Sequence, residues 1–188
     1  MRKSRVMNSF LKSFKYAFII LFLFSNFSYS YEGKLDVKKF NSFFEGTWEL
    51  IEWHQEGKVY KRPLIAGRCT LSPNFIHCGI HKKFNANNKT SWIGWGHYIL
   101  ENGKYGYKYT EVLSISDKLN KDIKIDRSLP WSGYRYFEIE ESEEGFYMTS
   151  ESGQQLWNIY KNEVMSYTDK SSMMSKGKLM KRVWKKIN

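Results

Sequence analysis

From Gly46 onward the sequence consists of short segments rich in β-branched and aromatic residues, each closed by turn residues such as Asn102-Gly103, Glu144-Gly145 and Ser152-Gly153. Such runs are too short for amphipathic helices and are typical of an antiparallel sandwich or barrel rather than βαβ units. The expected fold class is therefore all-β. We expect strands near residues 46–54, 58–61, 65–71, 75–81, 91–100, 104–115, 133–140, 145–151, 154–160 and 178–187.

One short helix is expected before the first strand. Apolar residues recur there at helical spacing, with Asp36 as the N-cap and Gly46 just beyond the end: Val37, Phe40, Phe43 and Phe44. A helix of this length is not stable alone, so it requires the strands to pack against.

The first 30 residues have the order of a secretory signal peptide. Five basic residues and no acidic one occupy residues 1–15, an apolar run follows from Ala17 to Phe24, and small residues end at Ser30. The alternative is a membrane anchor, but the apolar run falls short of the ~20 residues that span a bilayer. We therefore expect a signal peptide over 1–30, a single domain over 31–188, and an exported protein, periplasmic or secreted.

Two cysteines, Cys69 and Cys78, are symmetric about a predicted turn at Pro73-Asn74. Symmetry about that turn pairs the two cysteines across neighbouring strands. If the loop has two residues, the pair falls on a non-hydrogen-bonded rung, where Cα atoms lie roughly 4.5 Å apart; the alternative is a longer loop, because Pro73 fits the primed turns poorly. Exported proteins keep disulfides, so the expectation is a cross-strand disulfide, with a reduced pair as the alternative. Oxidation removes both thiolates, and we expect no metal and no cofactor.

The full chain carries 30 basic and 19 acidic residues, and removal of the five leader basics leaves a net charge of +6. Exported proteins meet little nucleic acid, so a nucleic-acid partner is not expected. A solvated strand face is the simpler interpretation of the basic C-terminus, and a weak contact with an anionic surface is the alternative. Its basic residues are Lys176, Lys178, Lys181, Arg182, Lys185 and Lys186.

Four segments together resemble the bacterial lipocalin-like domain family. They are Phe44-Glu45-Gly46-Thr47-Trp48-Glu49-Leu50, the hairpin Trp95 to Gly103, Pro130-Trp131-Ser132-Gly133 with the strand after it, and Lys181-Arg182-Val183-Trp184. The resemblance implies an antiparallel calycin-type barrel of about eight strands, open at one end and covered by the helix at the other. It also implies that Arg182 of the last strand packs on Trp48 of the first, a structural role for both.

Side chains in three predicted strands are the candidate ligand-binding residues. If Trp48 points inward, alternation places Glu52 and His54 on the same inner face and Trp53 on the other, with a solvated position at the rim as the alternative for Glu52 and His54. In the central hairpin, the candidates are Trp95, His97, Tyr98 and Glu111; a His–Glu pair there would serve as a general base or orient a ligand, and a structural histidine is the simpler alternative.

Three functions remain open from the sequence. The first is binding of a small, mostly apolar molecule, such as a lipid, pigment or isoprenoid, inside the barrel. The second is a barrel enzyme of isomerase or cyclase type that uses an interior His/Glu pair, although no catalytic residue is identified. The third is an envelope interaction protein whose barrel is filled by its own aromatic side chains.

Overall fold

The computed structural model describes residues 35–85, 87–119, 121–171 and 179–187, so the predicted leader lies outside the described residues. This part of the chain folds as one helix, α1 (Val37–Phe44), followed by twelve strands. The strands are β1 (Gly46–Gln55), β2 (Lys58–Tyr60), β3 (Ile65–Ser72), β4 (Phe75–Asn85), β5 (Asn88–Glu101), β6 (Lys104–Lys118), β7 (Lys124–Arg127), β8 (Arg135–Ser142), β9 (Gly145–Ser150), β10 (Gln155–Tyr160), β11 (Val164–Asp169) and β12 (Met180–Ile187).

Ten antiparallel strands close into a barrel in the order β12-β11-β10-β9-β8-β6-β5-β4-β3-β1, and β1 pairs with β12 to complete the ring. Strand β2 pairs with the end of β1, and β7 pairs with the second half of β6, both outside the ring. The expected all-β antiparallel barrel is confirmed, but the expected number of about eight strands is wrong. Nine of the ten predicted strands enter the ring, and β11, which is not among the predicted strands, supplies the tenth.

Helix α1 lies against one end of the barrel interior, as expected. The Asp36 side chain accepts a hydrogen bond from the Lys39 N–H at 3.0 Å, which caps the first turn. Phe40 packs edge-on against Phe146 with ring centroids 5.3 Å apart, and Phe44 packs in the same way against Tyr98 at 5.6 Å. The buried apolar face of the helix therefore closes this end of the barrel with aromatic rings.

Two β-bulges change which side chains face inward. In β1, Ile51 has no partner between the paired residues Leu50 and Glu52, and in β6 Thr110 is the extra residue opposite Trp95 and Gly96. Because side chains alternate with a period of two, one extra residue moves every later side chain to the other face. Sequence alternation extrapolated through these points therefore gives the wrong face.

The cation beside Trp48 is Lys186 rather than the expected Arg182. Trp48 is opposite Lys186 in the register of β1 and β12, and the Lys186 Nζ lies 5.5 Å from the Trp48 ring centroid. The same ammonium donates hydrogen bonds to the carbonyls of Ser42 and Phe43 in the last turn of α1, at 3.1 and 3.3 Å. Arg182 is opposite Trp53, because the bulge at Ile51 shifts the register of the two strands. Lys186 thus joins the first strand, the last strand and the helix.

The local turn predictions hold. Asn102 and Gly103 have φ angles of 52° and 76°, as a type I′ hairpin turn requires. Ser72 pairs with Phe75 around a two-residue loop, which places Cys69 directly opposite Cys78 with Cα atoms 4.1 Å apart. The cysteines form a disulfide, as expected.

Reduction of the Cys69–Cys78 disulfide should lower the free energy of unfolding by about 2.5 kcal/mol, because the unfolded chain loses a closed loop of about ten residues. Urea unfolding with and without dithiothreitol measures the difference. The double variant Cys69→Ala/Cys78→Ala is the control, since the reductant should leave its midpoint unchanged. An equal midpoint for the wild-type protein in both conditions would contradict the prediction.

Candidate functional site

The barrel interior becomes polar and charged towards the end opposite α1. Along β4, Lys82 continues the inward series of Ile76, Cys78 and Ile80, and along β12, Arg182 lies between the buried side chains of Met180 and Trp184. At the same end of the barrel, the inward faces of β8, β10 and β11 carry Arg135, Gln155 and Asp169. We call this set the distal cluster: Trp53, Lys82, Tyr107, Trp131, Arg135, Gln155, Tyr167, Asp169 and Arg182.

Two cations of the distal cluster share the ring of Trp53, which is 6% exposed. The Lys82 Nζ lies 3.5 Å from the ring centroid, and the Arg182 Cζ lies 4.8 Å from it. The indole N–H donates to the Gln55 side-chain carbonyl at 3.1 Å, which fixes the plane of the ring. The π face of tryptophan therefore stabilises both positive charges.

Arg182 is buried without a carboxylate partner among the described residues. Its Nε donates to the Met180 thioether sulfur at 3.3 Å, and its Cζ also lies 5.1 Å from the Tyr167 ring centroid. A thioether is a weak acceptor, and a guanidinium has five N–H donors. Within the described ranges the guanidinium is thus held mainly by aromatic faces.

Asp169 is the carboxylate of the distal cluster and is completely buried. It accepts hydrogen bonds from the Tyr167 hydroxyl at 3.0 Å, the Gln155 side-chain amide at 3.3 Å and the Ser171 backbone N–H at 2.6 Å. These three neutral donors satisfy the buried charge in place of a salt bridge.

Arg135 completes the polar network on the opposite side of the barrel. Its Nη1 donates to the Gln155 side-chain oxygen at 3.1 Å, and its Cζ lies 4.0 Å from the Trp131 ring centroid. Tyr107 packs edge-on against the same tryptophan at 5.3 Å. Burial raises the pKa of Tyr107 to about 12, although the positive charges of Arg135 and Arg182 act in the opposite direction. Tyr107 is therefore a neutral hydroxyl at physiological pH.

Lys82 has a pKa in the physiological range, unlike an ordinary lysine. Burial lowers its pKa to about 7, and the positive charge of Arg182 lowers it further in the same direction. An ordinary lysine is fully charged at neutral pH, but Lys82 changes its charge close to pH 7. The charge of the distal cluster consequently depends on pH in the physiological range.

A cleft of about 490 Å³ opens at the distal end of the barrel. Trp131, Arg135 and Gln155 of the distal cluster line it, together with the hydroxyl side chains of Ser150, Ser152 and Ser171. A second cleft of about 600 Å³ lies between the β1–β2 turn and Leu179. The first cleft therefore exposes part of the distal cluster to the surface.

Glu52 and His54 form a pair, but the pair lies outside the barrel. The His54 Nε2 is 2.8 Å from the Glu52 Oε2, and the Lys61 Nζ is 2.8 Å from the other oxygen. The hydrogen bond from Lys61, followed by that from His54, lowers the pKa of Glu52. The expectation that they point inward with Trp48 is wrong because the bulge at Ile51 exchanges the two faces of β1.

The candidate residues of the central hairpin also lie on different faces of the barrel wall. His97 is exposed and pairs with Lys108 rather than Glu111, while Glu111 is opposite Trp95 and forms an outer ion pair with Arg127. Tyr98 is the candidate that points inward, and its hydroxyl donates to the Glu45 carboxylate at 2.7 Å beside the helix. Burial raises its pKa. These four side chains therefore form no common site.

The basic C-terminus is not a uniform surface. Arg182 is buried and the Lys186 ammonium binds the last turn of α1, while Lys181 is half-buried and Lys185 is exposed. Lys176 and Lys178 lie outside the described residues. The basic residues of β12 therefore differ in their surroundings, and the contact with an anionic surface stays a prediction.

Of the distal cluster, Arg182 alone was predicted to have a specific role from the sequence, and that role was packing on Trp48. The signal was present, since Lys82, Asp169 and Arg182 each occupy a position in phase with apolar residues of a strand. A charged residue in the apolar phase of a strand indicates either a strand end or an interior charge. Only the closed ring of strands distinguishes these cases.

Comparison with known proteins gave no match to any family model, curated protein or solved structure. The antiparallel barrel is compatible with a calycin-type fold, which remains a statement about architecture. Among the described residues, no helix has the length and apolar character needed to cross a membrane. Over the same ranges, no three His, Cys, Asp or Glu side chains are grouped so that they could hold a metal ion.

Proposed function

We propose that this protein binds a small molecule at the distal end of its barrel. The observation that carries the proposal is the cleft of about 490 Å³ lined by Trp131, Arg135 and Gln155 of the distal cluster, which also contains the buried charges of Asp169 and Arg182. Ligand sites in proteins are typically concave, largely apolar and equipped with a few placed polar groups. A cluster serving stability alone would be better replaced by apolar side chains, because buried charges are costly.

The two alternative functions have less support. An interior His/Glu base is required for the enzyme hypothesis, yet Glu52–His54 lies outside the barrel and His97 does not pair with Glu111. The filled-barrel hypothesis fits the helix-covered end, where phenylalanine, tyrosine and tryptophan rings interdigitate. It does not account for the charged distal end. A binding protein whose barrel is packed at the helix-covered end and polar at the distal end is consistent with both the aromatic packing and the charged cluster.

Membership of a lipocalin-like family and export from the cell belong to the same proposal. The barrel, the covering helix and the Gly-x-Trp start of β1 support the family, and ten ring strands depart from the expected eight. The leader sequence and the disulfide support an exported protein, because disulfides persist in oxidising compartments.

Binding of the neutral fluorophore N-phenyl-1-naphthylamine tests the proposed function. We expect saturable binding to the wild-type protein and at least about fivefold weaker binding to Trp131→Ala, which removes an aromatic wall of the cleft. The matched control is Trp95→Ala, since Trp95 is a half-buried tryptophan on the outer face of β5. Its affinity should equal that of the wild type. Absence of saturable binding, or equal losses in both variants, would contradict the proposal.

A further inference from the structure

The distal cluster carries more positive than negative charge. It contains the cations Lys82, Arg135 and Arg182 and one carboxylate, Asp169. Three neutral donors already satisfy that carboxylate. Removing a charge from water is costly unless an opposite charge compensates. Arg182 is buried and has no carboxylate partner among the described residues, so an anion bound beside it would be favoured.

The excess is concentrated at Trp53. Lys82 and Arg182 approach the same ring within 3.5 and 4.8 Å, although their like charges repel. An anionic group bound by both would offset the repulsion and supply the charged acceptor that Arg182 lacks among the described residues. The rings of Trp53 and Tyr167 would remain beside it as contacts for an apolar body.

We propose that Lys82 and Arg182 bind the anionic group, a carboxylate, sulfonate or phosphate, of an amphipathic ligand with an aromatic or aliphatic body. The inference rests on the proposed function, because it assigns a chemical class to the molecule that the barrel binds. It replaces the mostly apolar ligand expected from the sequence with one that carries a negative charge.

Affinity for such a ligand should decrease as pH rises. Of the described residues, Arg182 on β12 is a charged group that faces Lys82, while β1, β3 and β5 place Trp53, Ile65 and Thr90 beside it. The free protein loses the Lys82 proton around pH 7, and a bound anion favours the protonated form. Binding is therefore strongest below the pKa of Lys82 and weakens above it.

Two fluorophores that differ by one sulfonate group test the anionic ligand separately from ligand binding as such. The probe 8-anilinonaphthalene-1-sulfonate carries the two ring systems of N-phenyl-1-naphthylamine plus a sulfonate that stays ionised. We expect wild-type protein to bind the sulfonate at least about tenfold more tightly at pH 6 than the neutral probe. Between pH 6 and pH 9 the affinity for the sulfonate should fall, while that for the neutral probe stays constant.

Three variants assign the effect to Lys82. Lys82→Met keeps the aliphatic stem and should weaken sulfonate binding about tenfold and remove its pH dependence. Lys82→Arg should bind the sulfonate nearly as well as wild type and without the loss at pH 9, because arginine stays charged. The matched control is Lys83→Met, the same substitution at the exposed neighbouring residue, which should leave all affinities unchanged.

The outcomes are distinguishable. If neither probe binds saturably, the proposed function itself fails. If both probes bind equally and Lys82→Met changes neither affinity, the barrel binds ligands but the anionic assignment is overturned. Displacement of the sulfonate probe by an equal concentration of inorganic sulfate would overturn the amphipathic part, since a simple anion would then suffice.

Discussion

Replacing Trp48 by alanine is expected to lower the free energy of unfolding by about 4 kcal/mol. The indole is completely buried, and its N–H donates to the Phe44 carbonyl at 3.0 Å. It also lies beside the Lys186 ammonium, which binds the last turn of the helix. The substitution therefore creates a cavity and at the same time releases the contacts that join helix, first strand and last strand.

Urea unfolding followed by circular dichroism measures the loss without relying on tryptophan fluorescence. Trp48→Phe should lower the free energy of unfolding about half as much as Trp48→Ala, because it retains an aromatic ring but loses the indole N–H. Trp95→Ala, on the outer face of β5, should cost under about 1 kcal/mol. If Trp48→Ala proves no more destabilising than Trp95→Ala, the role given to Trp48 is wrong.

Replacing Gly96 by alanine is expected to cost about 3 kcal/mol. A Cβ at this position would lie 1.9 Å from the Lys108 carbonyl oxygen and 2.7 Å from the Tyr109 Cα. Both are backbone atoms of β6 at the bulge, so no side-chain rotation can make room. The two strands must separate there, where the bulge sets which face of β6 points inward.

Gly79→Ala on the neighbouring strand β4 provides the matched control for Gly96→Ala. A Cβ on Gly79 would meet no heavy atom within 4 Å, and alanine restricts the unfolded chain more than glycine does. We expect Gly79→Ala to change the free energy of unfolding by less than about 1 kcal/mol or to stabilise the fold slightly. Equal unfolding midpoints for the two alanine variants would contradict the packing described at the bulge.

Much of the fold was predictable because the relevant signals are local. Asp36 caps the helix through its own first turn, Asn102-Gly103 adopts the positive φ angles of its turn, and the symmetry about Pro73-Asn74 pairs Cys69 with Cys78. Each prediction depends on residues close in sequence. The exception is β11, where the polar residues Ser166, Thr168 and Asp169 concealed an alternating strand.

The candidate site was not predictable in the same way. Glu52 and His54 were expected inside and Trp53 outside, and one unpaired residue at Ile51 reversed both assignments. Nothing in the composition of β1 marks that residue, since a bulge is fixed by the register of two strands. Arg182 was likewise assigned to Trp48, although the shifted register places it opposite Trp53.

By itself, the sequence determined an antiparallel all-β domain with a capped helix and a cross-strand disulfide, because hydrophobic period, capping and turn chemistry act over a few residues. Only the tertiary structure decided that ten strands close the ring and that Lys82, Asp169, Arg135 and Arg182 meet at one end of it. These residues come from four different strands. Their meeting depends on strand order and register, which long-range pairing fixes and no local segment encodes.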